Sequence, residues 1–165
     1  MGAYTGTVPP LLAGDIPAAT TWQEVTNFMT AVTTNWTLAA PTWTATAGTP
    51  AIGNGTLTGR SRRIGQTNDF SINLVAGSTT TFGTAGAAFR FTIPGVPGGS
   101  GAAFYFGSGF VKLGGVERPL MWRIDTGLTT IRLFRISTEA ELLNNSPAVM
   151  TNGDQIALSG TIELQ

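Results

Sequence analysis

The run DFSINLVAGSTTTFGTAGAAFRFTIP, residues 69–94, decides the fold because two of its segments alternate between apolar and polar side chains. In an extended chain, such alternation places successive side chains on opposite faces, as in a β-strand with one buried face. Glycines and threonines separate the segments and favour turns over helices. The alternating apolar residues are Phe70, Ile72 and Leu74 in the first segment, and Phe89, Phe91 and Ile93 in the second. The stretch therefore predicts two half-buried strands.

Strand-like runs bounded by Gly, Pro, Asn or Asp continue to the end of the sequence. They cover residues 42–47, 56–65, 69–76, 78–83, 87–94, 102–113, 116–125, 129–137 and 155–165. This spacing predicts a mainly β fold over residues 38–165, an antiparallel β-sandwich or jelly roll of about 8–9 strands. One helical turn is also predicted at residues 137–143, where Glu139 and Glu141 suit the first turn of a helix.

Residues 21–37 form the one predicted helix, which precedes the β domain. Thr21 and Glu24 fit a capping box. Apolar side chains then recur at alternating steps of three and four residues, which is a heptad seam. The seam and the phenylalanine beside it comprise Trp22, Val25, Phe28, Met29, Val32 and Trp36. The helix either packs on its own domain or, as we favour, forms an oligomer interface with copies of itself.

Residues 1–20 are predicted to be an extended N-terminal arm. The stretch TGTVPPLLAGDIPAA, residues 5–19, contains three prolines and two glycines and shows no period. Its Leu11, Leu12 and Ile16 give it apolar side chains for docking on another protein. The alternative is a frayed chain terminus.

The composition excludes several classes of function. The chain has no Cys and no His, so disulfides, Cys/His zinc sites and His-dependent nucleophilic catalysis are impossible. Nine basic and nine acidic residues give no net charge, which argues against a nucleic-acid partner and favours association. No apolar run reaches the length of a membrane span. We expect no catalytic residue, no cofactor and no metal site. Carboxylate-based catalysis would need a pair of acids, and the only acid pairs close in sequence are Glu117 with Asp125 and Glu139 with Glu141.

The stretch AIGNGTLTGRSRRIG, residues 51–65, has the glycines and arginines of a phosphate-binding loop. It lacks the dinucleotide spacing of glycines and the Lys-Ser/Thr pair of a P-loop. A strand-like run follows it, so no helix N-terminus is available to hold a phosphate. We therefore interpret Gly53-Asn54-Gly55 as a turn that leads into a strand.

Both faces of this strand would carry charge, which suits an edge strand or one near a subunit boundary. Arg60 and Arg62 point to one face and Arg63 to the other. The arginines are either solvated or in ion pairs at a subunit interface. The candidate acids are Asp69, Asp125 and Glu163.

The stretch PTWTATAGTPAIGNGTLTGRSRRIGQTNDFSINLVAGSTTTFGTAGAAFRFTIP, residues 41–94, resembles a module of tailed-bacteriophage virion proteins. The pattern is Trp-Thr, then G-N-G-T-L-x-G-R, then I-G, then S-T-T-T-F-G and an alternating strand that ends in Pro. The closing run GDQIALSGTIELQ is similar to the last strand of the same module, so that the resemblance covers residues 41–165. The sequence departs from the pattern at Ser61, at Ile162 and at Ala87-Ala88.

The resemblance implies a β-sandwich of the virion that forms a homotrimer and has no catalytic residue. We expect a capsid decoration (cement) protein on the head surface, with itself and the major capsid protein as partners. The alternative is a short tail fibre or receptor-binding minor tail protein that contacts other tail proteins and a host surface glycan. Under that alternative, the aromatic side chains that would stack on a sugar are Tyr105, Phe106, Phe110 and Trp122.

Overall fold

The computed structural model describes residues 35–96, 104–126 and 130–164, together with Gln23. Nine strands in these ranges form one antiparallel sheet, and no helix lies within the three ranges. The strands are β1 Thr37–Leu38, β2 Trp43–Ala45, β3 Thr56–Ile64, β4 Thr67–Val75, β5 Phe89–Thr92, β6 Tyr105–Leu113, β7 Val116–Ile124, β8 Thr130–Arg135 and β9 Gln155–Glu163. The predicted mainly β, antiparallel, sandwich-like fold is confirmed.

The strand order β1-β3-β4-β9-β6-β7-β8-β5-β2 puts β1 and β2 at opposite edges of the sheet. Only residues 39–42 connect these two strands, so the edges are separated by no more than about 18 Å. The connection is bonded to both sides: Ala39 N–H donates to the Gly59 carbonyl on β3, and Thr92 N–H on β5 donates to the Thr42 carbonyl. The sheet therefore curls until its edges approach, and the concave face encloses the core.

The core consists of the inward-facing side chains of the curled sheet. All the alternating residues that the opening stretch predicted to be buried are at most 3% exposed: Phe70, Ile72, Leu74, Phe89, Phe91 and Ile93. β6, β7, β8 and β9 contribute the other large apolar side chains, mostly through the same period of two. Local alternation thus determines which face of each strand is covered.

Trp122 on β7 is the largest fully buried side chain, and it lies against two strand glycines. A Cβ atom at Gly107 would lie 2.5 Å from Cζ2 of the indole, and one at Gly160 would lie 2.0 Å from the same atom. The indole N–H donates to the Ser159 carbonyl at 2.7 Å, and the ring centroid is 5.1 Å from that of Phe70. Glycine is required at both positions because the indole occupies the space of their side chains.

The turn predicted at Gly53-Asn54-Gly55 is present, and it is tied to the loop after β4. Gly53 has a φ of 57°, and Gly55 N–H donates to the Ile52 carbonyl at 2.9 Å. The Asn54 side-chain oxygen accepts hydrogen bonds from the backbone N–H and the hydroxyl of Thr79, both at 2.9 Å. The G-N-G and S-T-T-T motifs of the sequence therefore meet in one hydrogen-bonded pair of loops.

Two predicted elements of the β domain are wrong. The helical turn predicted at residues 137–143 is displaced: a single turn closes where Glu139 N–H donates to the Arg135 carbonyl at 2.8 Å, and it ends at Glu139, whose φ of 56° lies outside the helical region. The residues that follow pair with β8, where Leu142 N–H donates to the Leu133 carbonyl. Residues 78–83 form a loop with a single bridge, Ala51 to Thr81, rather than a strand. Threonine side chains, which favoured a strand in the sequence, instead bond to the facing loop.

The end of the predicted helix is also wrong. Asn35 and Trp36 lie outside any helix, and Thr37 begins β1, where it pairs with Ser61 on β3. Pairing with β3 satisfies the backbone that a helix would otherwise satisfy. The remaining helix residues that were assigned to the seam, Trp22, Val25, Phe28, Met29 and Val32, lie outside the described residues. So do the arm residues Leu11, Leu12 and Ile16.

Candidate functional surface

The arginines of β3 make their contacts within the chain. Arg62 Nε lies 2.8 Å from Asp69 Oδ2 on the directly opposite position of β4. The guanidinium groups of Arg60 and Arg62 lie over the Trp36 ring, at 4.7 and 5.2 Å from its centroid. Asp69 was one of the three candidate acids, and it forms its ion pair with Arg62 inside the protomer. Trp36, which the sequence assigned to a helical seam, instead covers the outer face of β3.

Arg63 lies on the other face of β3, and its Nε donates to the Gly65 carbonyl at 3.0 Å. Asp69 is further held by the hydroxyl of Thr161 on β9, which donates to its Oδ1 at 2.6 Å. Hydrogen bonds from Thr161 and from Arg62 lower the pKa of Asp69 from its ordinary value, and partial burial opposes them only in part. The β3–β4–β9 face is thus a tightly bonded polar surface.

The outer face of β6 and β7 differs, because large apolar side chains lie exposed on it. Phe104 is 52%, Phe106 68% and Phe110 37% exposed, and the Phe104 and Phe106 ring centroids are 6.1 Å apart. Pro119 pairs with Phe110 across the two strands, and Met121 pairs with Ser108 on the same face. We call Phe104, Phe106, Phe110, Pro119 and Met121 the aromatic surface.

A row of three arginines adjoins the aromatic surface. Arg90, Arg132 and Arg123 occupy directly opposite positions on β5, β8 and β7. Like charges in such positions repel, and two carboxylates lie between them. Glu141 accepts from Arg90 Nη2 at 3.1 Å and from Arg132 Nε at 2.6 Å. Asp125 accepts from Arg132 Nη1 at 2.5 Å, and its other oxygen lies 2.7 Å from Arg123 Nε. We call these three arginines the arginine row.

The arginine row covers an outward-pointing aromatic ring. The guanidinium groups of Arg123 and Arg132 lie 4.3 and 5.3 Å from the centroid of Phe134, which is only 5% exposed. Burial alone would lower the pKa of Arg132, but hydrogen bonds to Asp125 and Glu141 outweigh it and raise that pKa. Arg123 also pairs with Phe106 across β6 and β7. The row and the aromatic surface therefore form one continuous face.

The structure separates the four aromatic residues that the sequence grouped for sugar stacking. Phe106 and Phe110 are exposed, whereas Trp122 is fully buried and unavailable to a ligand. Tyr105 is half-buried, and its hydroxyl donates to the Glu163 carbonyl at 3.0 Å. Trp122 was misassigned although its alternation with Leu120 already indicated an inward side chain.

Sequence reasoning missed the arginine row entirely. Its partners are distant along the chain: Arg90 and Glu141 are separated by 51 residues. Of the acid pairs close in sequence, Glu117 with Asp125 and Glu139 with Glu141, the structure uses one member of each, Asp125 and Glu141, to hold arginines. The sequence signal that was available is the presence of arginines at alternate positions of the predicted strands, which indicates an outer face that carries charge.

Within the described residues, no group of three or more His, Cys, Asp and Glu side chains is placed to hold a metal ion. No helix in that part of the chain is long and apolar enough to cross a membrane. No protein-family model, curated protein or solved structure matches the chain.

Proposed function

We propose that the chain is a non-enzymatic structural protein of a tailed-bacteriophage virion, a homotrimeric decoration protein that binds the major capsid protein on the head surface. The resemblance of residues 41–165 to phage virion modules supports this function. So does the lack of net charge, because nine basic and nine acidic residues leave little repulsion between copies.

The observation that carries the proposal is the aromatic surface. An antiparallel sheet that faces water on one side ordinarily presents polar residues there, as the other half of this sheet does with Thr58, Asn73 and Ser159. On β6, Phe106 at 68% exposure stands in the corresponding outer position. Phe, Met and Arg are enriched in protein–protein interfaces. A contiguous apolar face beside an arginine row is therefore suited to burial against another protein.

A decoration protein would act by joining neighbouring capsid subunits. Each 100 Å² of apolar surface that it covers across a junction contributes about 2.5 kcal/mol before the cost of association and ordering. The aromatic surface supplies the apolar part of such a contact. The arginine row supplies an ion-paired rim, which determines orientation more than affinity.

The first experiment removes the aromatic surface with Phe106→Ser and Phe110→Ser together. Both side chains are exposed, so we expect the protomer to fold and associate normally while binding to the capsid is lost. The matched control is Ile136→Ser with Val149→Ser, since these residues are 53% and 65% exposed but lie elsewhere. Light scattering of the wild type and the control should give three copies of the 17.1 kDa chain.

Added to particles that lack the protein, the wild type and the control should raise resistance to heat and osmotic shock, and the double serine variant should not. A serine variant that assembles and protects particles like the control would contradict the proposed role of this surface. Val25→Asp with Met29→Asp tests the predicted helical seam separately. If the two aspartate substitutions dissociate the trimer, the helix is the interface between the copies. If the two serine substitutions leave the trimer intact but abolish binding to particles, the aromatic surface is the contact with the capsid.

A second candidate function is that of a short tail fibre or receptor-binding protein. The neighbouring exposed rings of Phe104 and Phe106, with Arg123 beside them, favour it because aromatic faces stack on sugar rings. Immunogold labelling of intact particles separates the two candidates: label over the heads supports decoration, and label at tail ends supports receptor binding. In the second case, the isolated protein should bind host cells and Phe106→Ser should not.

A further inference from the structure

A cavity of about 290 Å³ lies at one end of the inner face of the sheet. It forms where the end of β6, the beginning of β7 and the end of β8 come together. Arg118 and Arg135 are the charged residues of its lining. The side chains that matter for its chemistry are Val111, Arg118, Leu120, Arg135, Ser137 and Pro147.

The two arginines of the cavity are close neighbours in the sheet. Arg118 pairs with Val111 on β6, and Arg135 on β8 pairs with Leu120 on β7. Arg118 and Arg135 are thus diagonal neighbours on adjacent strands, with their backbones about 7–8 Å apart. Both side chains are long enough to reach one ligand between them.

Each of these guanidinium groups has a buried N–H without an acceptor. Arg118 Nη1 and Arg135 Nε are covered from solvent and make no hydrogen bond. In the described part of the chain, no carboxylate lies within ion-pair distance of either arginine, whereas Arg62 and Arg90 each hold one and Arg132 holds two. Two neighbouring cations with unsatisfied buried donors are unfavourable unless an anion joins them.

We propose that this cavity binds an oxyanion, a phosphate or carboxylate group, between Arg118 and Arg135. The planar fork of a guanidinium matches the two oxygens of either group, and the charge-assisted bonds satisfy the buried donors. The Ser137 hydroxyl in the lining offers a further donor. Val111, Leu120 and Pro147 form apolar walls that strengthen the electrostatic attraction by excluding water. The ligand is either a free phosphate-type ion or the carboxylate of another molecule.

The direct test observes the arginine Nε–H resonances of the wild-type protein by NMR. Sodium phosphate, sodium acetate and sodium chloride are titrated separately at matched ionic strength and pH 7. We expect the resonances of Arg118 and Arg135 to shift saturably with phosphate, acetate or both, but not with chloride. The Nε–H resonance of Arg60, an arginine on the outer face, should show no saturable shift with any of the three salts. Saturation by one ion only identifies the source of the oxyanion, and saturation by neither overturns the proposal.

Variants then test whether the two arginines form the site together. Arg118→Gln and Arg135→Gln should each weaken binding of the saturating ion at least tenfold, while Arg60→Gln, with the same change of charge, should change it less than twofold. Equal loss in all three variants would mean that only net charge attracts the ion, and the site would be refuted. The cavity shares one lining residue, Pro119, with the aromatic surface, and neither experiment changes that residue. The serine variants alter Phe106 and Phe110 and the glutamine variants alter Arg118 and Arg135, so the two tests can fail independently.

Discussion

Replacement of Gly160 by alanine should destabilise the protein, because the added methyl group has no space. The Cβ atom would lie 2.0 Å from Cζ2 of Trp122 and 2.9 Å from its Cε2 and Cη2 atoms. Carbon atoms in contact are ordinarily separated by about 3.5 Å or more, so the indole would have to move by about 1.5 Å. Gly107 also lies against the ring, with a virtual Cβ 2.5 Å from Cζ2, and leaves no space on that strand.

The size of the effect follows from three contributions. Overpacking of a core costs about 1–3 kcal/mol. Displacing the indole weakens its 2.7 Å hydrogen bond to the Ser159 carbonyl, and a bond of this kind contributes about 1 kcal/mol. In the opposite direction, alanine lowers the conformational entropy of the unfolded chain, which stabilises the folded protein by about 0.5–1 kcal/mol. The net loss is about 2 kcal/mol, which corresponds to a fall in Tm of about 4–8 °C for a domain of this size.

The assay is urea unfolding followed by circular dichroism in two backgrounds. Trp122→Phe removes the part of the indole that a Cβ at position 160 would meet. Gly160→Ala should therefore cost about 2 kcal/mol in the wild type and almost nothing in the Trp122→Phe protein, a coupling that a double-mutant cycle measures. An unchanged midpoint in the wild type, or the same loss in both backgrounds, would refute the steric explanation.

Three further changes test the polar contacts. Asn54→Ala removes the side chain that ties the turn after β2 to Thr79, and it should lower the free energy of unfolding by about 1–2 kcal/mol in urea titrations. The pKa of Asp69 is lowered in the folded state, so its charge contributes stability above the unfolded pKa of about 3.9 that is lost as the pH falls through the folded pKa. Asp69→Asn should therefore flatten the acid side of the stability–pH profile, and an unaltered slope would contradict this assignment. Glu141→Gln leaves two guanidinium groups of the arginine row short of a carboxylate and should cost about 1–3 kcal/mol, whereas the exposed control Glu117→Gln should stay within about 0.5 kcal/mol of the wild type by thermal unfolding.

Alternation along the chain was sufficient to predict the long strands and their buried faces, but not β1, which lies at the end of the predicted helix. Phe70, Ile72 and Leu74 are buried because a period of two places them on one side of β4 whatever the partner strand is. Segments without alternation were misassigned. Glu139 sits in a backbone conformation that no helix contains, and it does so because the residues after it pair with β8. Pairing with a strand elsewhere in the fold cannot be predicted from the local preferences of the residues.

The candidate surfaces were less predictable than the fold. Exposure of Phe106 and burial of Trp122 follow from the alternation of β6 and β7, so the sequence did contain that distinction. The pairing of Arg90 with Glu141 and the approach of Arg118 to Arg135 depend on strand order instead. Neither contact has a sequence spacing that could have indicated it.

The position of β9 has a consequence for synthesis of the protein. β9 lies between β4 and β6 and pairs with both, yet its residues, Gln155–Glu163, are the last of the described strands to leave the ribosome. Until they emerge, the nascent chain holds the β3–β4 hairpin and the β6–β7–β8 meander with facing, unpaired edges. Such edges are templates for pairing with other chains. A chain interrupted before residue 155 should therefore associate edge to edge instead of folding, which makes complete translation a condition for solubility.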